Sequence, residues 1–94
     1  MKRYLDYNEF CKFLEDLEED KMTTVYTEDN DGNECENSSF MKINFNGNIA
    51  ILFENAYGEV GILQDTHMMS YEDYAEDLFE YLEEEGRYRV YIEE

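Results

Sequence analysis

Nucleophiles, bases and metal ligands are scarce in this chain, and their spacing is unhelpful. There is one histidine, His67, and there are two cysteines, Cys11 and Cys35. A transition-metal site would have to join His67 to a cysteine and to carboxylates, and no recognised ligand spacing links them. In an intracellular chain both cysteines are expected as free thiols. Nucleophilic catalysis needs a nucleophile, a base and a group that orients the base. One histidine, with no G-x-S-x-G and no cysteine-adjacent signature, does not supply that set. The run Asp29-Asn30-Asp31-Gly32-Asn33-Glu34 resembles part of an EF-hand loop. With Gly32 at the sixth position, Thr27 falls at the first and Ser38 at the twelfth, where calcium needs carboxylates. A tight turn held by Asx hydrogen bonds is the better reading. A catalytic carboxylate pair cannot be picked out among 25 acids, and the domain is small for a substrate cleft. The expectation is a protein that is not an enzyme, with no catalytic residue, no metal and no cofactor.

What the chain has in excess is carboxylate. Asp and Glu number 25 against seven Lys and Arg, a formal charge of −18. Solubility alone is served by about 2–8 charges on a small domain, and self-repulsion at −18 opposes compaction. The acid is also unevenly placed. No Lys or Arg occurs between Lys42 and Arg87, a stretch holding eleven acids. Eight of them fall on one predicted helix. Glu72, Glu76, Glu80 and Glu83 make one row at i, i+4, i+8 and i+11, and Asp73, Asp77, Glu80 and Glu84 make the adjacent row. Side chains so spaced sit about 5–6 Å apart at Cβ, and each like-charge pair costs a helix about 0.2–0.5 kcal/mol. That spacing is on the order of the distance between successive phosphates of one nucleic-acid strand. A charge run is ordinarily a solvated face. Here no lysine alternates with the acids and a second acidic cluster occupies residues 15–20, so a binding role is the preferred reading. The expected partner-binding residues are Glu72, Asp73, Glu76, Asp77, Glu80, Glu83, Glu84 and Glu85, together with Glu59 and Asp65.

These residues need a scaffold, and the apolar pattern supplies one. Phe10, Phe13, Leu14 and Leu17 fall at i, i+3, i+4 and i+7, which predicts a helix over about 7–20. Its C-terminal acids, Glu15, Asp16, Glu18, Glu19 and Asp20, then sit at the end where the macrodipole favours cations. Residues 22–28 read as a strand, 29–38 as a polar loop, and 40–46 and 49–54 as a hairpin about Asn46-Gly47-Asn48. A two-residue loop puts Met41, Ile43 and Phe45 on the opposite face from Ile49, Ile51 and Phe53. A three-residue loop with a bulge puts all six on one face, and it is favoured for that reason. A further strand spans 59–64. Ser70 is the N-cap of a second helix, with Asp73 at N3, a buried stripe of Tyr71, Tyr74, Ala75, Leu78 and Leu82, and a stop at Gly86. Residues 87–92 alternate as a last strand, with Tyr88, Val90 and Ile92 facing one way and Arg87, Arg89 and Tyr91 the other.

The fold class is therefore α+β: an antiparallel sheet of about four to five strands with two helices packed on it, in the order α-β-β-β-β-α-β. The 94 residues make a single acidic domain, 1–94. Nine Tyr and six Phe supply a core that a disordered acidic chain would lack. The N-terminus has no apolar run of a secretory signal, and no stretch reaches the length of a membrane span. A cytoplasmic location is expected.

A chain this acidic does not bind nucleic acid directly, since that affinity comes from cations on phosphates. It suits instead a basic, nucleic-acid-binding protein. In size, in charge, in lacking an enzyme motif and in its acidic C-terminal helix (YEDYAEDLFEYLEEEG), the chain resembles the small acidic phage proteins that inhibit bacterial defence nucleases, the anti-CRISPR and anti-restriction DNA mimics. The resemblance implies a partner such as a CRISPR effector complex, the bacterial host cytoplasm as the location if the chain is phage-encoded, and acids set where basic residues grip DNA. The chain is expected as a monomer or small homo-oligomer, with no membrane partner. The alternative is an immunity or antitoxin-type protein that blocks a basic nuclease toxin.

Overall fold

A computed structural model describes residues 1–65 and 70–94, with Tyr71 described in its backbone alone. His67 and the side chain of Tyr71 lie outside the described residues. The order is β1 (Lys2–Leu5), α1 (Tyr7–Glu15), β2 (Thr23–Glu28), β3 (Glu34–Phe45), β4 (Asn48–Glu54), β5 (Val60–Leu63), α2 (Tyr71–Glu83) and β6 (Arg89–Glu93). The α+β class and the succession of α1 to β6 match the sequence pattern. The sheet has six strands rather than four or five, in the spatial order β1-β6-β2-β3-β4-β5, and each neighbouring pair is antiparallel.

The extra strand is β1. Only four residues long, it carries no periodicity a sequence pattern can register. It forms because β6 offers it an edge, with Lys2 opposite Glu93 and Leu5 opposite Val90. Asp6 then caps α1 by a capping box with Glu9.

Helix α1 ends at Glu15, so Asp16 to Asp20, expected within the helix, are not helical. Leu17 stays in the core from a turn, and Asp20 takes a left-handed φ of 63° and donates its N–H to the Lys42 carbonyl. The Lys42 ammonium in turn donates to the Glu15 carbonyl at 2.7 Å. A cation from the sheet thus meets the negative end of the helix, and unwinding takes the following acids away from it.

The loop expected over 29–38 is also shorter. Asp29 Oδ1 accepts the N–H groups of Asp31 and Asn33, the Asx turn of the sequence reading, and β3 starts at Glu34. A bulge between Tyr26 and Glu28 is stitched by Thr27, whose hydroxyl donates to the Glu36 carbonyl and accepts the Glu36 N–H.

The β3–β4 turn overturns the register favoured from sequence. Phe45 pairs with Asn48, so Asn46 and Gly47 alone make the loop, both with positive φ (54° and 84°). This is the two-residue turn whose twist matches that of a hairpin. Ile51 and Phe53 therefore face the helices, and Met41, Ile43 and Phe45 face the other way. The assumption behind the three-residue loop, that all six apolar residues share one face, fails because both faces of this sheet carry apolar side chains.

Both helices pack on one face. The core there joins Leu5, Val25, Phe40, Ile51, Leu63, Val90 and Ile92 of the sheet to Phe10 and Leu14 of α1 and Ala75, Phe79 and Leu82 of α2. Phe10 is at its centre, with ring centroids 5.3 Å from Phe79 and 5.8 Å from Phe40. On the open face, over β1, β6 and β2, Tyr91 stacks on Tyr26 and meets Tyr4 edge-on. Glu28, 1% exposed, lies beside them and accepts from the Lys2 ammonium (2.8 Å), the Tyr4 hydroxyl (2.7 Å) and the Arg89 guanidinium (2.7 Å).

Candidate functional site

The acids of α2 are placed by the ordinary apolar half of the helix. Ser70 accepts the Asp73 N–H at 3.2 Å, and the Asp73 carboxylate accepts the Ser70 N–H, so the expected N-cap forms as a reciprocal box. Ala75, Phe79 and Leu82 are buried, and Tyr74 and Leu78 pack beside them. The Tyr7 hydroxyl of α1 donates to the Glu72 carbonyl, and its ring meets Phe79 edge-on, which fixes the first turn of α2 against α1. With that face committed to the core, Glu72, Asp73, Glu76, Asp77 and Glu80 are all exposed.

The helix ends at Glu83, two residues earlier than a stop at Gly86 implies. Glu84 is its C-cap, and Glu84 (φ 46°), Glu85 (φ 59°) and Gly86 (φ 87°) follow one another through the left-handed region. Gly86 takes that conformation freely, whereas each glutamate in it is disfavoured by roughly 1–2 kcal/mol. The turn carries both exposed carboxylates past the helix end. Glu84 and Glu85, both expected on the helix, are thus not helical, but they extend the same acidic surface.

Glu83 departs from its expected row. Its side chain is half-buried and lines a cavity with Tyr4, Leu5, Asp6, Glu9, Tyr88 and Arg89. Burial first, and the Glu80 charge second, push its carboxyl above the usual glutamate range. Its ionised form is the one its surroundings disfavour.

Among the described residues, the ion pairs are the terminal amine with Glu93, Lys2 and Arg89 with Glu28, Arg3 with Glu94, and Lys21 with Glu18. None of them involves an α2 acid. Arg87 shares a surface hollow of about 570 Å³ with Asp77, Glu80, Tyr81, Glu84 and Glu85.

Tertiary structure adds residues that sequence reasoning missed. Tyr81, 47% exposed, stands among the acids of that hollow. Tyr57, 71% exposed, comes from the β4–β5 turn, and its hydroxyl donates to Glu36 Oε1 at 2.6 Å. That bond, with the charges of Glu36 and Glu84, raises the Tyr57 phenol above its ordinary value. Glu84 and Cys35 raise the Tyr88 phenol in the same way. The acidic end of α2 therefore has three tyrosines about it, Tyr81, Tyr88 and Tyr57, of which Tyr57 is far from it in sequence. The signal available was only that Tyr57 follows a turn-forming asparagine: Asn55 Oδ1 accepts the N–H groups of Tyr57 and Glu59.

Of the two outlying acids, Glu59 is held beside this region. Its carboxylate accepts from the Asn55 amide at 2.9 Å, and it lines a hollow with Leu78 and Tyr81. Asp65 is not brought there. It lines a different hollow, with Leu14, Glu15, Lys42 and Ile49. The structure thus groups Glu72, Asp73, Glu76, Asp77, Glu80, Glu84, Glu85 and Glu59 around one helix, and separates Glu83 and Asp65 from them.

Set against family models, curated proteins and solved structures, the chain has no match.

Proposed function

We propose that the protein is an inhibitor that presents the acidic face of α2 to a basic, nucleic-acid-binding protein and so excludes nucleic acid from it. The observation that carries this reading is the row of exposed carboxylates, in no ion pair among the described residues, on a helix capped at both ends. A helix stabilised only for itself would alternate cations with these acids. Exposed carboxylates about 5–6 Å apart that take part in no ion pair among the described residues can replace phosphates on lysine and arginine side chains. Tyr81 and Tyr57 add the flat, partly apolar contact surface in which protein interfaces are rich. The target class is a defence complex of the CRISPR or restriction type, whose DNA-gripping groove is basic.

The test is a pair of charge reversals. Glu76→Lys with Glu80→Lys is expected to weaken binding to such a complex by at least about 100-fold at low salt, whereas Asp31→Lys with Glu34→Lys, a matched pair at the β2–β3 turn, changes it little. Binding of the native chain should fall steeply with ionic strength and be lost when the complex is already loaded with DNA. Equal effects of the two pairs, or binding that ignores salt, would remove α2 as the binding element.

A further inference from the structure

The open face of the sheet has a different character. No described helix or loop packs over β3, β4 and β5 on the side away from α1 and α2, and that side carries Met41, Ile43, Phe45, Leu52, Val60 and Ile62. Val60 is 61% exposed and Ile62 36%, and the other four are half-buried by their own neighbours. A contiguous apolar patch of this kind marks an interaction surface.

We propose that this face is covered by a second copy of the chain, sheet against sheet. Charge is the first argument. The acids on the open face are Glu28, Glu34, Glu54 and Glu93, and Lys2 and Arg89 offset two of them, so most of the −18 lies elsewhere. A second copy meets the least repulsion here. The pairing buries the near-neutral faces against each other and turns the two acidic helices outward, to opposite sides of the dimer. An acidic or basic partner would find no matching charge in the apolar patch, whereas the patch complements itself about a two-fold axis.

Area is the second argument. A strand residue covers about 16 Å² of sheet plane, so the apolar half over β3, β4 and β5 offers on the order of 370 Å² per copy and the whole six-strand face on the order of 600 Å², or about 1,200 Å² per dimer, the lower end for a stable specific interface; the contact therefore takes in the Tyr4, Tyr26 and Tyr91 half of the face as well. The contact would be an aligned β-sandwich, with sheets about 10 Å apart.

The salt response separates this contact from the acidic face. Salt screens repulsion between two copies at −18 and leaves apolar burial intact. Sedimentation analysis over a concentration series should show a monomer–dimer equilibrium that tightens at least several-fold between 0.05 and 0.5 M salt, in round figures of about one decade. Ile43→Thr with Leu52→Thr, which keeps strand-forming residues on both strands, should weaken it at least tenfold, and Glu76→Lys with Glu80→Lys, which lowers the repulsion between copies, should not weaken it. An independent reading on the native chain guards against a misfolded variant. The Met41 methyl NMR signal should become shielded from a soluble paramagnetic probe as concentration rises, while that of Met1, 92% exposed, does not. A monomer at every concentration and salt, as an unlike apolar partner would leave it, overturns the proposal. So does a dimer that survives the double threonine variant with the Met41 methyl still exposed.

Discussion

Two sets of glutamates in this protein show how differently one side chain can be used. Glu28 is buried and receives three donors, from Lys2, Tyr4 and Arg89, across three strands. Lys2 lies 4.7 Å from the Tyr91 ring centroid and Arg89 4.9 Å from that of Tyr4, so both cations are also held over aromatic faces. On α2 the exposed carboxylates stand in rows and none takes part in the ion pairs among the described residues. Lys2 and Arg89, two of the scarce cations, fasten β1, β6 and β2 together, and no cation among the described residues forms an ion pair with an α2 acid. Removing a carboxylate from a buried pair strands its partners at a large cost, whereas a carboxylate in a row of its own kind destabilises its helix. The second arrangement makes sense where the missing cations come from outside.

The sharpest way to break this comparison is to neutralise Glu28. Glu28→Gln leaves two cations facing an amide and is expected to lower the melting temperature by on the order of 10 °C, read by thermal denaturation. A loss no larger than that from an exposed Glu→Gln change would show that the three donors do not fasten β1.

Acid titration sharpens the contrast next. Hydrogen bonds from Lys2 and Tyr4 hold the Glu28 carboxyl below the ordinary value of 4.5. Its stabilising effect is therefore present above that value and lost as pH falls through the lowered one. The Glu83 carboxyl is raised above 4.5 by burial and by Glu80. Its contribution has the opposite sign: it is present below the ordinary value and lost as pH rises through the raised one. Thermal stability should thus rise as pH drops from neutrality towards 4.5, helped by falling self-repulsion, and then decline as Glu28 protonates. Glu83→Gln should flatten the rise and Glu28→Gln should remove much of the decline.

The smallest expected effect has the reverse direction. Glu76→Gln with Glu80→Gln relieves several like-charge pairs worth about 0.2–0.5 kcal/mol each, with almost no change in helix propensity. A gain of about 1 kcal/mol, or about 4–8 °C in a domain of this size, should follow. Together with weakened partner binding, that gain would show the helix trading stability for a surface.

The sequence by itself determined what depends on neighbours along the chain. The stripes of α1 and α2 were legible because helical periodicity places Phe10, Leu14, Ala75 and Leu82 by spacing alone. The Ser70–Asp73 cap and the Asp29 turn were legible because their hydrogen bonds close within four residues. The acidic rows were legible for the same reason, wherever the helix continues. Only the tertiary structure decided what depends on pairing across the sheet. It created β1 from an edge that β6 offers, and it set the β3–β4 register that sends Met41, Ile43 and Phe45 to the open face. It turned Glu83 inward and left Asp65 apart from α2. It brought Tyr57 and Glu36 to the acidic end of that helix. Local periodicity fixes which way a side chain points from its own element; what stands opposite is fixed by contacts between residues distant in sequence, and no spacing encodes them.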